Sequence, residues 1–243
     1  MLSFRAATVN HPLGQIGPFD LELAAGSFVG VCGPTAAGKS VLLKLACGLV
    51  RPSSGAVLVD GVELGRASAA ELREIRGRIG MVFQNDALFD STTVLQNVAL
   101  PLLRRGVPRA EAEARAREAL AQVALTGAEE KHPAQLSGGM KKRVGVARAL
   151  VAAPSVALYD DPTAGLDPAT TRRILELAEE VHRRLGGVTV IAGPDPAALW
   201  PRCTLGVALD EGRVVGVGVP SELIERPEVA ALFAAEPSLV VGT

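Results

Sequence analysis

The sequence predicts an α/β fold built around a phosphate-binding loop, and three observations carry that expectation. Residues 33–40, Gly33-Pro34-Thr35-Ala36-Ala37-Gly38-Lys39-Ser40, fit the pattern G-x-x-x-x-G-K-S/T. A short apolar run over 27–32 precedes this loop and a helix-like run over 39–48 follows it, so strand, loop and helix stand in the required order. Farther along, Val156-Ala157-Leu158-Tyr159-Asp160 is a near-continuous apolar run ending in an acid, the pattern of a central parallel strand.

The chemistry of the loop follows from its residue types. Gly33 and Gly38 let the backbone bend until successive N–H groups point at one anion. Lys39 can reach the β- and γ-phosphates of a nucleotide, and the Ser40 hydroxyl can ligate Mg²⁺. The phosphates then rest on the N-terminus of the following helix. Asp160, at the end of its strand, can hold the same Mg²⁺ through water, opposite Ser40.

Composition bounds the rest. A chain of 243 residues can bury a full core as one large domain or two small lobes. Its 48% hydrophobic and 21% charged content is ordinary for a soluble α/β protein. No apolar run reaches the length of a membrane span, and residues 1–6 lack the stretch a signal peptide needs. Cys32, Cys47 and Cys203 are too few and too scattered for a disulfide framework or a zinc site. Cys32 and Cys47 read as buried free thiols in a reducing cytoplasm. A net charge of −1 leaves no electrostatic footprint for nucleic acid.

In chain order, residues 2–9 and 19–24 alternate apolar and polar as half-buried strands do, and 55–61 adds a third strand bounded by glycines. These predict a small antiparallel sheet beside the phosphate-loop core. Ser68 and Glu71 form a capping box that opens a helix through Arg76. Residues 79–83 read as a core strand ending at Gln84. From about 85 to 150 the pattern turns helical: 94–100, then a charged amphipathic stretch over 108–125, then 140–152. Within the second, Glu113 and Arg117 stand four apart in the favourable order. Ser137 caps a helix, and Gly138 and Gly139 allow close approach, so Leu136-Ser137-Gly138-Gly139-Met140, followed by Lys141-Lys142-Arg143, reads as a second anion site. Such a loop makes sense if it closes over the γ-phosphate held by another subunit. After Asp160, Asp167 with Pro168 predicts a helix start, the helix running through Arg184. Residues 188–192 form a β-branched strand, 205–209 and 213–217 form a hairpin, and 221–235 form a last helical stretch.

Residues 33–40, Gln84, 136–140, 156–160 and Ala164-Gly165-Leu166-Asp167 together resemble the ATP-binding cassette (ABC) ATPase family in order and context. They match its Walker A, Q-loop, signature, Walker B and D-loop, over essentially the whole chain. The resemblance implies a P-loop NTPase with a RecA-like core and an N-terminal antiparallel β subdomain (1–84 and 154–243), and an inserted helical subdomain (85–153). It implies ATP and Mg²⁺ as cofactors and head-to-tail dimers that sandwich two ATPs. On this basis Lys39, Gln84 and Asp161 are catalytic, and Ser40, Gln84 and Asp160 serve the metal. His11, Gly33, Pro34, Thr35, Ala36, Ala37, Gly38, Lys39, Ser40 and Val41 bind the nucleotide, while Ser137, Gly138 and Gly139 close a neighbour's site. His11 stands about where the family stacks an aromatic on adenine; an unengaged loop histidine is the equal alternative. The wording of 83–89, 97–102 and 136–146 is most similar to the MCE/Mla-type lipid transporters. That likeness implies lipid transport through integral membrane permease subunits, an MCE-type lipid-binding protein as a further partner, and a place on the inner face of the membrane.

Three positions depart from the family. Asp161 replaces the glutamate that polarises the attacking water, Pro194 replaces the switch histidine, and Ala36 stands where glycine is common. Losing one methylene withdraws the carboxylate by roughly a bond length, and about 1 Å of misplacement costs roughly a hundredfold in rate. Proline can neither donate to a γ-phosphate nor relay a proton. The nearest histidine, His182, lies within the preceding helix and reads as solvated. These departures predict slow hydrolysis at the chain's own site, in a homodimer with two slow sites or a heterodimer with an intact partner, the homodimer slightly favoured. Two other readings stand beside the transporter. A non-transport ABC ATPase is opposed by the interval from Ser40 to Leu136, too short for a long coiled coil, and by a length too small for two cassettes. The other is an ATP-binding clamp with little hydrolysis.

Overall fold

A computed structural model of the chain describes residues 1–11, 14–85 and 87–234. The chain opens with two antiparallel strands, β1 (Leu2–His11) and β2 (Gly14–Leu23). It enters the central sheet through β3 (Phe28–Cys32), turns into α1 (Lys39–Ala46), and returns to the first sheet as β4 (Ser54–Val59) and β5 (Val62–Glu63). The first sheet, ordered β2-β1-β4-β5, is antiparallel throughout, as the alternating sequence predicts. The Ser68–Glu71 capping box starts α2 (Ala69–Gly77), which leads into β6 (Ile79–Val82).

The helical block follows: α3 (Val94–Leu103), α4 (Arg109–Gln122) and α5 (Gly138–Leu150). The chain re-enters the central sheet as β7 (Val156–Asp160), crosses by α6 (Pro168–Leu185) to β8 (Val188–Gly193), and passes the short α7 (Pro196–Leu199). It closes with the hairpin β9 (Leu205–Asp210) and β10 (Arg213–Gly218), then α8 (Pro220–Leu223) and α9 (Pro227–Ala234). The central sheet runs β10-β9-β3-β8-β7-β6, parallel except for the edge strand β10.

Burial explains the strand sequences. Every residue of β3, β7 and β8 is buried, because both faces of a parallel sheet are covered. Val29 and Val31 point to one face, where they pack with Leu43 and Leu45 of α1 and with Phe4, Phe19 and Val57 of the antiparallel sheet. Phe28 and Cys32 point to the other, into a core continuous with Val98, Leu120 and Val144 of the helical block. That block is therefore part of the main core rather than a satellite.

Four expectations need correction. The third helix of the block begins at Gly138, two residues before the expected Met140, because Ser137 caps it and the glycines form its first turn. Helix α3 continues through Pro101 to Leu103 instead of stopping at Leu100. The last helical stretch is two short helices, since Pro227 has no N–H to continue α8 and opens α9 instead. Residue 235 lies outside the described residues. His182 is not solvated: it is half-buried, stacks on Phe28 with ring centroids 5.0 Å apart, and places Nδ1 3.0 Å from Thr189 Oγ1. Burial holds its pKa below the ordinary histidine range.

Asn97, 1% exposed, ties the helical block to the loop before it. Its Oδ1 accepts from Phe89 N–H (2.8 Å), and its Nδ2 donates to Thr92 Oγ1 (2.8 Å) and Thr93 O (3.0 Å). Asn97→Leu strands these groups, so it is expected to lower stability by roughly 2–3 kcal/mol. Urea unfolding of the purified variant measures the loss.

Candidate functional site

The loop after β3 has the geometry of an anion cradle. Gly33 cannot be replaced: a Cβ there would lie 2.1 Å from Leu209 O. Gly38, the N-cap of α1, has φ +98, a left-handed backbone that favours glycine. Ala36 also sits in the left-handed region, at φ 66, so its Cβ costs about 1 kcal/mol that a glycine would not. The first N–H groups of α1, those of Lys39, Ser40 and Val41, have no carbonyl one turn back and point out of the helix end. Ala37 N–H is turned inward to Pro34 O (3.2 Å), and Ala37 O accepts from Gly212 N–H, fastening the loop to the β9–β10 turn. Lys39 curls over the loop and donates to Gly33 O and Pro34 O, both at 2.6 Å. Thr35 lies at the exposed tip between them.

Across the strand ends, Ser40 Oγ donates to Asp160 Oδ1 at 2.8 Å. β3 and β7 are separated by β8 in the sheet, so the loop and the first turn of α1 carry Ser40 past β8 to the end of β7. A hydroxyl facing a 6% exposed carboxylate, beside an anion cradle, is the donor set a hard divalent cation takes. The residues present fit Mg²⁺ with a phosphate chain.

Asp161 follows at φ 42, which a short acid tolerates better than longer side chains do. Burial raises its pKa above the ordinary aspartate range, Asp160's charge adds to the rise, and Lys39 and Lys142 oppose it. The charges of two lysines therefore act on this carboxylate. Pro194 is exposed at the end of β8 and lines, with Pro34, a mostly apolar cleft of about 1020 Å³. No imidazole reaches this side of the loop among the described residues, since His182 is engaged with Thr189 near the start of β8.

The remaining expected residues divide into three groups. Gln84 is exposed, and its carbonyl accepts from Lys142 Nζ. It lines a second cleft, of about 540 Å³, with Gly138, Lys142 and Gly165, so Q-loop, signature and D-loop segments meet there. Ser137 accepts from Met140 N–H (3.3 Å), and Gly139 packs where a Cβ would come within 3.0 Å of Thr170 on α6. Within one chain the signature thus belongs to the α5–α6 side and serves its own helix. His11 closes β1 by pairing with Gly14, but its side chain lies outside the described residues.

Sequence reasoning passed over Lys142, which is 6% exposed. The signal was present: Lys142, Val146 and Leu150 repeat every four residues and share one buried face of α5.

A glycine cradle, a lysine folded over it, and a serine in the first turn of α1 bonded to an aspartate at the end of a parallel strand define a P-loop nucleotide-binding cassette. Comparison with known proteins gives the family. Residues 16–164 match the model described as ABC transporter. The methionine import ATP-binding protein MetN of Carboxydothermus hydrogenoformans is 45% identical over 207 residues, 85% of this chain and 61% of that protein. MetN of Caulobacter vibrioides is 41% identical over 230 residues, 93% of this chain and 69% of that protein. Among solved structures, the dimeric post-hydrolysis state of the ATP-binding cassette MJ0796 bound to ADP and Pi superimposes with a TM-score of 0.82. It is 31% identical, over 90% of this chain and 99% of that one. CbiO1 of Clostridium perfringens, part of the ABC transporter complex cbiONQ, gives 0.83 at 31% identity, over 95% of this chain and 92% of that one. The chain belongs to the ABC transporter family. It spans about three fifths of the length of curated relatives such as the Carboxydothermus MetN. The expected likeness to MCE/Mla lipid cassettes finds no support in these relatives, which are methionine importers by name.

Lys39 supplies the point charge over the cradle. Lys39→Ala is expected to weaken labelled-ATP binding at least tenfold, the scale of a charge-assisted hydrogen bond worth roughly 1.5–3 kcal/mol. Unchanged affinity contradicts the P-loop assignment.

Proposed function

We propose that the chain is the ATP-binding subunit of an ABC importer that moves a small solute of the methionine class through a membrane permease. The observation that carries the nucleotide half is the Ser40–Asp160 contact beside the Lys39 cradle. The solute class rests on relatives 41–45% identical to the chain and named methionine import proteins. Lipid transport rested on loop wording alone, with no chemical reason in those loops, and it gives way here.

Bound Mg²⁺ would supply charge neutralisation across the β- and γ-phosphates. Lys39, released from the Gly33 and Pro34 carbonyls, would donate to those phosphates, and Ser40 and Asp160 would hold the metal. Asp161 would orient the attacking water from a carboxylate one methylene short of the family's glutamate. Nothing at Pro194 can donate to the γ-phosphate. We therefore assign slow turnover to this site. Ser137, Gly138 and Gly139 would close the ATP held by a second copy of the chain, with the homodimer slightly favoured over a heterodimer.

A surface suited to the permease lies where helical block and core meet. A groove of about 740 Å³ has Met81 and Phe83 in its floor, with Arg73, Arg104, Arg105 and Arg148 around it. Phe89, 50% exposed, stands at its edge. No helix among the described residues is long and apolar enough to cross a membrane. Docking on such a permease would put the chain on the inner face of the membrane.

Two measurements test this function. The native complex, isolated through a tag on this chain, should contain an integral permease, and its ATPase in proteoliposomes should rise when methionine is delivered to the opposite face. Stimulation by phospholipid instead restores the lipid reading, and co-isolation of ribosomes or DNA overturns transport altogether. The joint change Asp161→Glu and Pro194→His should raise turnover by at least tenfold, given the roughly hundredfold cost of about 1 Å of misplacement. A brisk wild-type rate that Asp161→Asn leaves untouched contradicts the role of Asp161.

A further inference from the structure

Among the described residues, the charged side chains that the fold buries are Asp160 and Lys142. Asp160 is accounted for by Ser40 and the metal site. Lys142 is not, and a buried ammonium costs several kcal/mol unless its protons are all well placed. A glutamine, methionine or leucine would fill the same face of α5 without that cost, so the charge must be used. Its Nζ donates to the carbonyl of Gln84, and its charge acts on the Asp161 carboxylate. One helical turn and a half farther along α5, Arg148 donates to Ala87 O at 2.6 Å. Two carbonyls in the first half of the loop after β6, those of Gln84 and Ala87, are therefore held by cations from the helix that carries the signature.

The surroundings narrow the role. Lys142 lines the 540 Å³ cleft in which Gln84, Gly138 and Gly165 come together. A lysine there touches the Q-loop backbone on one side and biases the acid after β7 on the other. Its own helix is capped by Ser137, and Lys142 lies five residues after that cap, in the second turn of the helix. Any shift of the signature end of α5 therefore moves Nζ, and with it the Gln84 carbonyl.

We infer that Lys142 is a positioning residue: it fixes the Gln84 backbone to the signature helix, so that the metal-side groups of the chain's own nucleotide site and its signature move as one body. The inference deepens the proposed function and rests on Gln84 serving the metal. It assigns Lys142 no contact with substrate.

The test separates metal from nucleotide. Mn²⁺ replaces Mg²⁺ as a paramagnetic probe, titrated into the purified full chain saturated with ATP, while labelled-ATP affinity is measured separately in chelator. Lys142→Met should weaken Mn²⁺ binding about tenfold, the scale of losing a group that orients a metal ligand. Its metal-free ATP affinity should stay within about twofold of wild type. Lys142→Arg, which keeps a charged donor, should restore most of the Mn²⁺ affinity. Gln84→Ala should show the same loss, and adding Lys142→Met to it should cost nothing more, because Lys142 reaches the metal only by positioning the Gln84 side chain. Should Lys142→Met fail to fold, Lys142→Gln carries the same comparison. Unchanged Mn²⁺ affinity, or losses that multiply in the double variant, overturns the inference. Failure of the P-loop reading is distinguishable, because it appears as absent ATP binding in wild type before any metal is added.

Discussion

The 2.8 Å contact between Ser40 and Asp160 is the constraint on which the rest of the structure depends. It joins the first turn of α1 to the end of β7 across the intervening β8. Parallel pairing in register, Cys32 with Gly193 and Asp160 with Ala192, sets the three strand ends level so that the two side chains can meet. The glycine at position 33 lets the loop pass under Leu209, and the glycine at 38 turns it into α1. Remove either condition and the hydroxyl and carboxylate no longer face one ion. The antiparallel sheet then acts as a support: Ile16 and Phe19 lie against Gly38, so β2 backs the loop from below.

The helical block is fastened to this core in two ways. Apolar side chains of α3, α4 and α5 share a continuous core with Phe28, Tyr159 and Ile191 of the central sheet. Around that core, cations end on backbone carbonyls: Arg105 on Gly77 and Ala152, Arg143 on Val123 and Ala124, Arg148 on Ala87. A guanidinium or ammonium meeting a carbonyl satisfies a backbone acceptor at a loop or helix end where no ladder can, and it leaves the surface cationic. The arginine-rimmed groove is thus partly a by-product of how the block is attached, with Arg73 and Arg104 as further exposed members of its lining.

What could be read from the sequence was what short-range chemistry determines. The P-loop, both capping residues Ser68 and Asp167, the strand ending at Asp160 and the β9–β10 hairpin each follow from local residue types, and each is found. What could not be read depends on contacts distant in sequence. The stacking of His182 on Phe28 joins residues 154 positions apart along the chain, and nothing beside His182 announces it. The left-handed backbone at Ala36 and Asp161 is imposed by the loop ends, not by their own preference. Lys142 looked like one member of a basic run until its burial set it apart from its half-buried neighbours Lys141 and Arg143. The lipid reading finds no support among the relatives for a different reason: loop wording has no direct physical link to what a partner membrane protein carries.

Under the proposed function each chain holds only part of the surroundings of an ATP, and a second chain's signature supplies the rest. Sedimentation of the purified chain with and without MgATP tests it most directly. The account predicts a nucleotide-dependent dimer that Ser137→Arg abolishes while ATP affinity for the single chain is kept. A chain that stays monomeric at saturating MgATP, or a dimer indifferent to Ser137→Arg, would contradict it.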